Sequence, residues 1–193
     1  MVSLGFLIWG LMILAFAAFR YPAMRKARKQ RTRQDRRDVL DISLLGLCVI
    51  GLLIVPLIWR LTDIFSGFDT MLSPLRVLLG IVCAGSFLWL FWRSHKDLGK
   101  NWSVSLELRE GHQLVTNGVY RHVRHPMYAA FFLWGLAQAF LLANNFAAVT
   151  GFVAVLLLYV LRHGREEAMM RDAFGANYEA YSKSTKRLIP GIY

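Results

Sequence analysis

The chain has 193 residues, 56% of them hydrophobic and only 18% charged, with a net charge of +11. That length gives room for hardly more than one domain, and that composition excludes an ordinary water-soluble one. Cys48 and Cys83 both fall in apolar stretches with no CxxC pair. They read as buried apolar residues, not as a disulfide or a metal site.

A bilayer core of about 30 Å requires roughly 20 apolar residues per helix. Met1 to Phe19 is free of charge, and its basic residues follow the apolar run instead of preceding it. It therefore reads as a retained first span and not as a cleaved signal peptide. The second span is expected over about Val39 to Trp59, charge-free from Ile42, with Pro56 kinking its last turn. The third begins at Ser73-Pro74, an N-cap followed by a first-turn proline, and runs to about Trp92. From Pro126 to Leu161 a run of 36 residues has no Asp, Glu, Lys or Arg. As a single helix it would measure about 54 Å at about 1.5 Å per residue, too long for one crossing. Asn144-Asn145 in its middle suits a tight turn, so two spans are expected, Pro126 to Ala143 and Phe146 to Leu161.

The expected fold is thus all-α and integral to a membrane, with five transmembrane helices. Residues 20–37 hold nine Lys and Arg, residues 93–125 hold six, and the tail from Arg162 holds six. These basic segments alternate with the spans, which places the N-terminus outside and the three basic segments, with the C-terminus, in the cytoplasm. The run from Arg25 to Arg37 is expected to lie on anionic lipid headgroups and not on nucleic acid. No repeat or low-complexity linker divides the chain, so residues 1–193 read as one domain. Residues 1–92 would be a three-helix scaffold, and 93–193 would hold the chemistry. The hairpin returns the 93–128 segment and the tail to one membrane face, where together they can form a cytoplasmic pocket. The oligomeric state is not legible.

The polar pieces have plain readings of their own. Pro126 suits a helix start whose free N–H groups can hold an anion, with Arg121, His122 and Arg124 beside it. Arg162–Glu166 and Glu167–Arg171 are spaced as surface i,i+4 ion pairs. Residues 103–110 and 112–120 have some strand-like alternation around Gly111, and Asn117-Gly118 marks a turn. No phosphate-binding loop, dinucleotide fingerprint or hydrolase motif occurs.

Taken in order, "LGKNWS" (98–103), "GHQLVTNGVYRHVRHPMY" (111–128), "REEAMMRDAFGANYEAY" (165–181) and "RLIP" (187–190) resemble the isoprenylcysteine carboxyl methyltransferase family. That family belongs to a wider group with the phospholipid methyltransferases. The resemblance covers roughly residues 90–193 and departs at Ala130, where many relatives carry glycine. It implies S-adenosylmethionine as methyl donor, bound without a Rossmann domain. His112, Gln113, Leu114 and Val115 would line the adenosine side, with Tyr120 packed nearby. His125, Pro126, Met127 and Tyr128 would form the wall at the helix start, and Glu166 would complete the donor pocket. Arg162 would be the catalytic residue, facing the carboxylate of a lipophilic, prenylcysteine-like acceptor that enters from the bilayer. Three alternatives stay open: phospholipid N-methylation, a membrane reductase using NADPH, and a non-catalytic lipid-binding protein.

Overall fold

A computed structural model describes residues 1–27, 32–35, 38–102, 107–109 and 111–193. Residues 28–31, 36 and 37 of the basic run expected on lipid headgroups, and residues 103–106 and 110, lie outside the described residues.

Among the described residues, five helical rods make up the body. Helix α1 spans Val2–Ala27; α2 (Val39–Val49), a π turn (Ile50–Ile54) and α3 (Val55–Leu61) form one continuous second rod; α4 spans Pro74–Leu98. Helices α5 (Pro126–Leu141) and α6 (Asn145–Phe174) form the hairpin, and α7 (Ala176–Ser184) closes the chain. Four of the rods are long and apolar enough to cross a membrane: Val2–Arg25, Val39–Leu61, Pro74–Leu98 and Asn145–Phe174. Their outward faces carry large apolar side chains such as Leu7, Leu14, Leu78, Val82 and Val153. A soluble protein would leave no such surface in water, so these helices belong in lipid. Helix α5 has 16 residues. At about 1.5 Å per residue it is roughly 24 Å long, short of a full hydrocarbon crossing. The expected fourth span is thus a shorter inner helix, packed between α4 and α6.

Local chemistry sets most boundaries. Ser73 accepts a hydrogen bond from the Arg76 amide at 3.2 Å, and Pro74 opens α4. Asn144 caps α6 through the Ala147 amide at 2.9 Å. The turn predicted at Asn144-Asn145 is there, and Asn144 also ties it down: its Nδ2 donates to Phe65 O and to Asp69 Oδ1. Pro56 lies just after the π turn. It has no N–H to donate, and the preceding residues widen into the π turn. Helices α4 and α6 outrun their predicted ends because polar residues continue a helix once it has left the apolar layer.

Tight packing joins the hairpin. A side chain at Gly135 would put its Cβ 2.8 Å from the Phe152 Cα, so glycine lets α5 and α6 touch backbone to backbone. Ala130 is fully buried in the main core with Phe87, Phe91 and Trp134. Gln138 binds the bundle from within. Its Nε2 donates to Gly51 O (2.9 Å) and Ala147 O (2.7 Å), and its Oε1 accepts from Trp9 Nε1 (3.4 Å). A buried polar group satisfied on three elements fixes their registry.

One departure from the all-helical expectation is a short antiparallel ribbon, β1 (Thr32–Asp35) with β2 (Glu107–Arg109). Strand β2 lies where the sequence alternates, whereas 112–116 carries no regular structure.

Candidate functional site

The polar knot before α5 is held from below by one carboxylate. Glu167 is 2% exposed. It accepts from Arg124 (Nη2 2.8 Å, Nε 3.2 Å), His125 Nε2 (3.2 Å), Arg187 Nε (3.2 Å) and Arg171 Nη2 (3.3 Å). This corrects the expectation of a surface pair between Glu167 and Arg171. The Arg171 contact exists, but it is the outermost of four. A tripeptide of the tail, Thr185 to Arg187, runs beside residues 123–125: Arg124 N donates to Lys186 O (2.7 Å) and His125 N to Arg187 O (2.9 Å). Arg124 Nη1 also donates to the carbonyls of Ser182 and Thr185. The tail is therefore strapped to the α5 start by charge and backbone together.

Glu166, one residue earlier and turned by about 100° on the helix, looks the other way. Its Oε2 accepts from Tyr128 Oη at 3.0 Å, and its Oε1 stands 3.8 Å from His125 Nδ1. Pro126 is the first residue of α5, with no side-chain cap ahead of it. Its first-turn amides therefore have no partner within the helix. Gln113 N donates to Asn101 Oδ1 at 3.0 Å, which fixes the extended 112–115 stretch against the end of α4. Gly118, at φ +59°, turns the chain where any Cβ would collide with the Asp97 carboxylate, and Val119 N donates to that carboxylate at 2.9 Å. Tyr181 Oη donates to Tyr120 O at 2.6 Å. Burial, with the Glu166 charge adding to it, pushes the Tyr120 phenol far above its usual value, so it stays a neutral donor.

These parts enclose a cavity of about 210 Å³. His112, Gln113, Leu114, Val115, Tyr120, His125, Pro126, Met127, Tyr128, Arg162 and Glu166 all line it. Every residue that the family resemblance assigned to the site is therefore in one place. The expected Arg162–Glu166 ion pair does not form. Arg162 Nε instead lies 3.2 Å from Oδ1 of Asp41, a fully buried residue of α2. The two are close enough to attract but not aligned: neither the Asp41 oxygens nor Arg162 Nε makes a hydrogen bond. The contact is one of opposite charges held close, without a formed hydrogen bond.

Sequence reasoning missed two charged contributors. Asp41 sits at the mouth of the second apolar run, where an ionisable residue is itself a signal; reading that run as charge-free from Ile42 passed over it. Arg20 was counted with the basic loop, yet it lines the cavity, as do Leu45 and Cys48 of α2. The first half is therefore more than a scaffold.

Residues 78–172 match the Isoprenylcysteine carboxyl methyltransferase (ICMT) family. Among similar curated proteins, the protein-S-isoprenylcysteine O-methyltransferase of Schizosaccharomyces pombe is 34% identical over 133 residues, 67% of this chain and 52% of that one. That of Dictyostelium discoideum is 36% identical over 90 residues, covering 47% and 38%. The human protein of the same name is 33% identical over 92 residues, covering 48% and 32%. The chain thus spans about half or less of these relatives. A solved structure of a eukaryotic intramembrane Ras methyltransferase, ICMT, superposes on 97% of this chain and 68% of its own, with a TM-score of 0.61 and 22% identity. That likeness shows a shared fold across regions where the sequences have diverged. Residues 78–172, which supply most of the cavity lining, belong to the isoprenylcysteine carboxyl methyltransferase family.

Proposed function

We propose that the chain is a multi-pass membrane methyltransferase that uses S-adenosylmethionine to methylate the carboxylate of a lipophilic, prenylcysteine-type acceptor at the cytoplasmic face. The observation that carries this reading is the convergence of the donor and acceptor residues of the family pattern on one cavity. The curated relatives are named as protein-S-isoprenylcysteine O-methyltransferases, which supports this reading.

The lining chemistry fits the donor. The amides at the α5 start suit a carboxylate, Glu166 suits ammonium or ribose donors, and Leu114, Val115, Tyr120 and Met169 offer an apolar wall to an adenine ring. S-adenosylmethionine bound there supplies an electrophilic methyl group. The residues of the chain then have to bind, align and dry the reactants, because an ionised carboxylate needs no general base. Arg162 lines the cavity one turn before Glu166 and can face the acceptor. Leu45, Cys48 and Leu158 extend the lining between α2 and α6, an apolar side by which a prenyl chain can reach it. Asp41 beside Arg162 is the observation that favours the alternative, an amine acceptor such as phosphatidylethanolamine, because it offsets the arginine charge.

The test is transfer of tritiated methyl from S-adenosylmethionine to a farnesylcysteine analogue, a phosphatidylethanolamine and a fatty acid. Label on the cysteine analogue alone supports the proposal. Label on the amine alone replaces it with phospholipid methylation. The orientation is tested separately by single cysteines at Asn145 and Lys183, both exposed positions. An impermeant reagent outside should reach the first and not the second.

A further inference from the structure

The cavity contains more positive charge than its known partners consume. Three arginines line it: Arg20, Arg124 and Arg162. Arg124 is saturated by Glu167 at 2.8 Å, and Arg162 faces Asp41 at 3.2 Å. Glu166 is turned to Tyr128 and His125. Arg20 alone of the three has no carboxylate among the described residues. Its guanidinium lies instead over two rings, 5.0 Å from the Trp102 centroid and 5.9 Å from that of Phe16.

Those rings are fixed. Phe16 sits one turn before Arg20 on α1 and packs against Trp134 at 4.7 Å and Phe91 at 4.9 Å. Trp102 is 5% exposed and lies 4.8 Å from the His95 ring. Arg20 is therefore half-buried and aimed, not a loose side chain reaching for bulk water as the rest of a basic flank would. A cation held over aromatic faces keeps its in-plane N–H groups free, and these form a fork suited to a carboxylate.

We infer that Arg20 is a carboxylate-binding residue of this cavity, supplied by α1 from outside the matched segment 78–172. The inference rests on the function proposed above, which brings two carboxylates to the cavity: the acceptor's own, and that of the amino-acid end of the donor. Either meets the same chemistry. Arg20 then provides the free positive charge that Asp41 partly takes from Arg162.

The experiment compares wild type, Arg20→Gln and Arg20→Lys in lipid nanodiscs with two matched pairs of ligands. S-adenosylhomocysteine against methylthioadenosine differs in the donor carboxylate and its amino-acid carbon skeleton. Farnesylcysteine acid against its carboxamide isolates the acceptor carboxylate. In wild type the acid should bind better in each pair. In Arg20→Gln the preference should fall about tenfold or more in the pair whose carboxylate Arg20 holds, and stay unchanged in the other. Arg20→Lys, which keeps the charge, should fall between the two, because an ammonium cannot make the two-point contact. It also keeps the test alive if the glutamine variant does not fold. Wild-type preference retained in both pairs by both variants overturns the inference and leaves the proposed function standing. Wild type that binds none of the four ligands removes that function, and the inference with it.

Discussion

Two buried carboxylates stand at the same end of the bundle and are treated in opposite ways. Glu167 on α6 is met by three arginines, Arg124, Arg171 and Arg187, and by the His125 ring. Asp41 on α2 is buried just as deeply, but it has one arginine beside it and no formed hydrogen bond. A satisfied network of this kind rigidifies, because every member holds the others. A lone misaligned pair does not, and its arginine is open to a better partner. The difference separates the part of the knot that ties the tail down from the part that lines the cavity.

The largest effect should come from breaking the tie. Glu167→Ala leaves Arg124 buried without its counter-charge, which costs about 3–5 kcal/mol of stability. Thermal unfolding of the detergent-purified protein should fall sharply, and limited proteolysis should release residues 176–193. An unchanged melting curve would show that the four contacts are not a structural hub. The lone pair should be repairable where the hub is not. Arg162→Gln strands Asp41 and should cost about 3 kcal/mol, and adding Asp41→Asn should recover most of it. Methyl transfer should stay low in both, which separates the role of Arg162 from its stability cost. No recovery in the double variant would mean that the pair is not what holds Asp41.

Glu166 sharpens the contrast, because it is the neighbour of Glu167 but faces the cavity. Glu166→Gln should leave the melting temperature nearly unchanged. It should weaken S-adenosylhomocysteine by about tenfold, the loss of one charged hydrogen bond of roughly 1.5–3 kcal/mol. Calorimetry reads this directly, and equal loss of stability and affinity would erase the distinction between the two glutamates. The smallest effect is expected at Tyr181→Phe, which removes one hydrogen bond to the Tyr120 carbonyl. About 1 kcal/mol of stability should go, with donor affinity within about threefold of wild type.

The adjacent glutamates also show how far the sequence could be read. Both lie in a pattern of alternating charge on a helix, and i,i+4 spacing alone offers Arg162 to Glu166 and Arg171 to Glu167. The second pair forms and the first does not, because α2 brings Asp41 against Arg162 from 121 positions away. Likewise Arg20 and Arg25 look alike in a basic run, yet only Arg20 lines the cavity. Its place depends on the packing of Phe16 against α4 and α5, which local composition does not contain.

The sequence by itself determined the apolar rods, the caps at Ser73 and Asn144, the helix start at Pro126 and the identity of eleven residues that line one cavity. These are local or patterned properties. Hydropathy sums over consecutive residues, a cap reaches only three positions ahead, and a motif keeps its own spacing. The tertiary structure alone decided which carboxylate meets which arginine, that Glu167 is a buried tie for the tail, and that α1 and α2 help build the site. Those outcomes depend on where separate helices cross. A charge buried at a crossing takes the counter-charge nearest in space, not the one nearest along the chain.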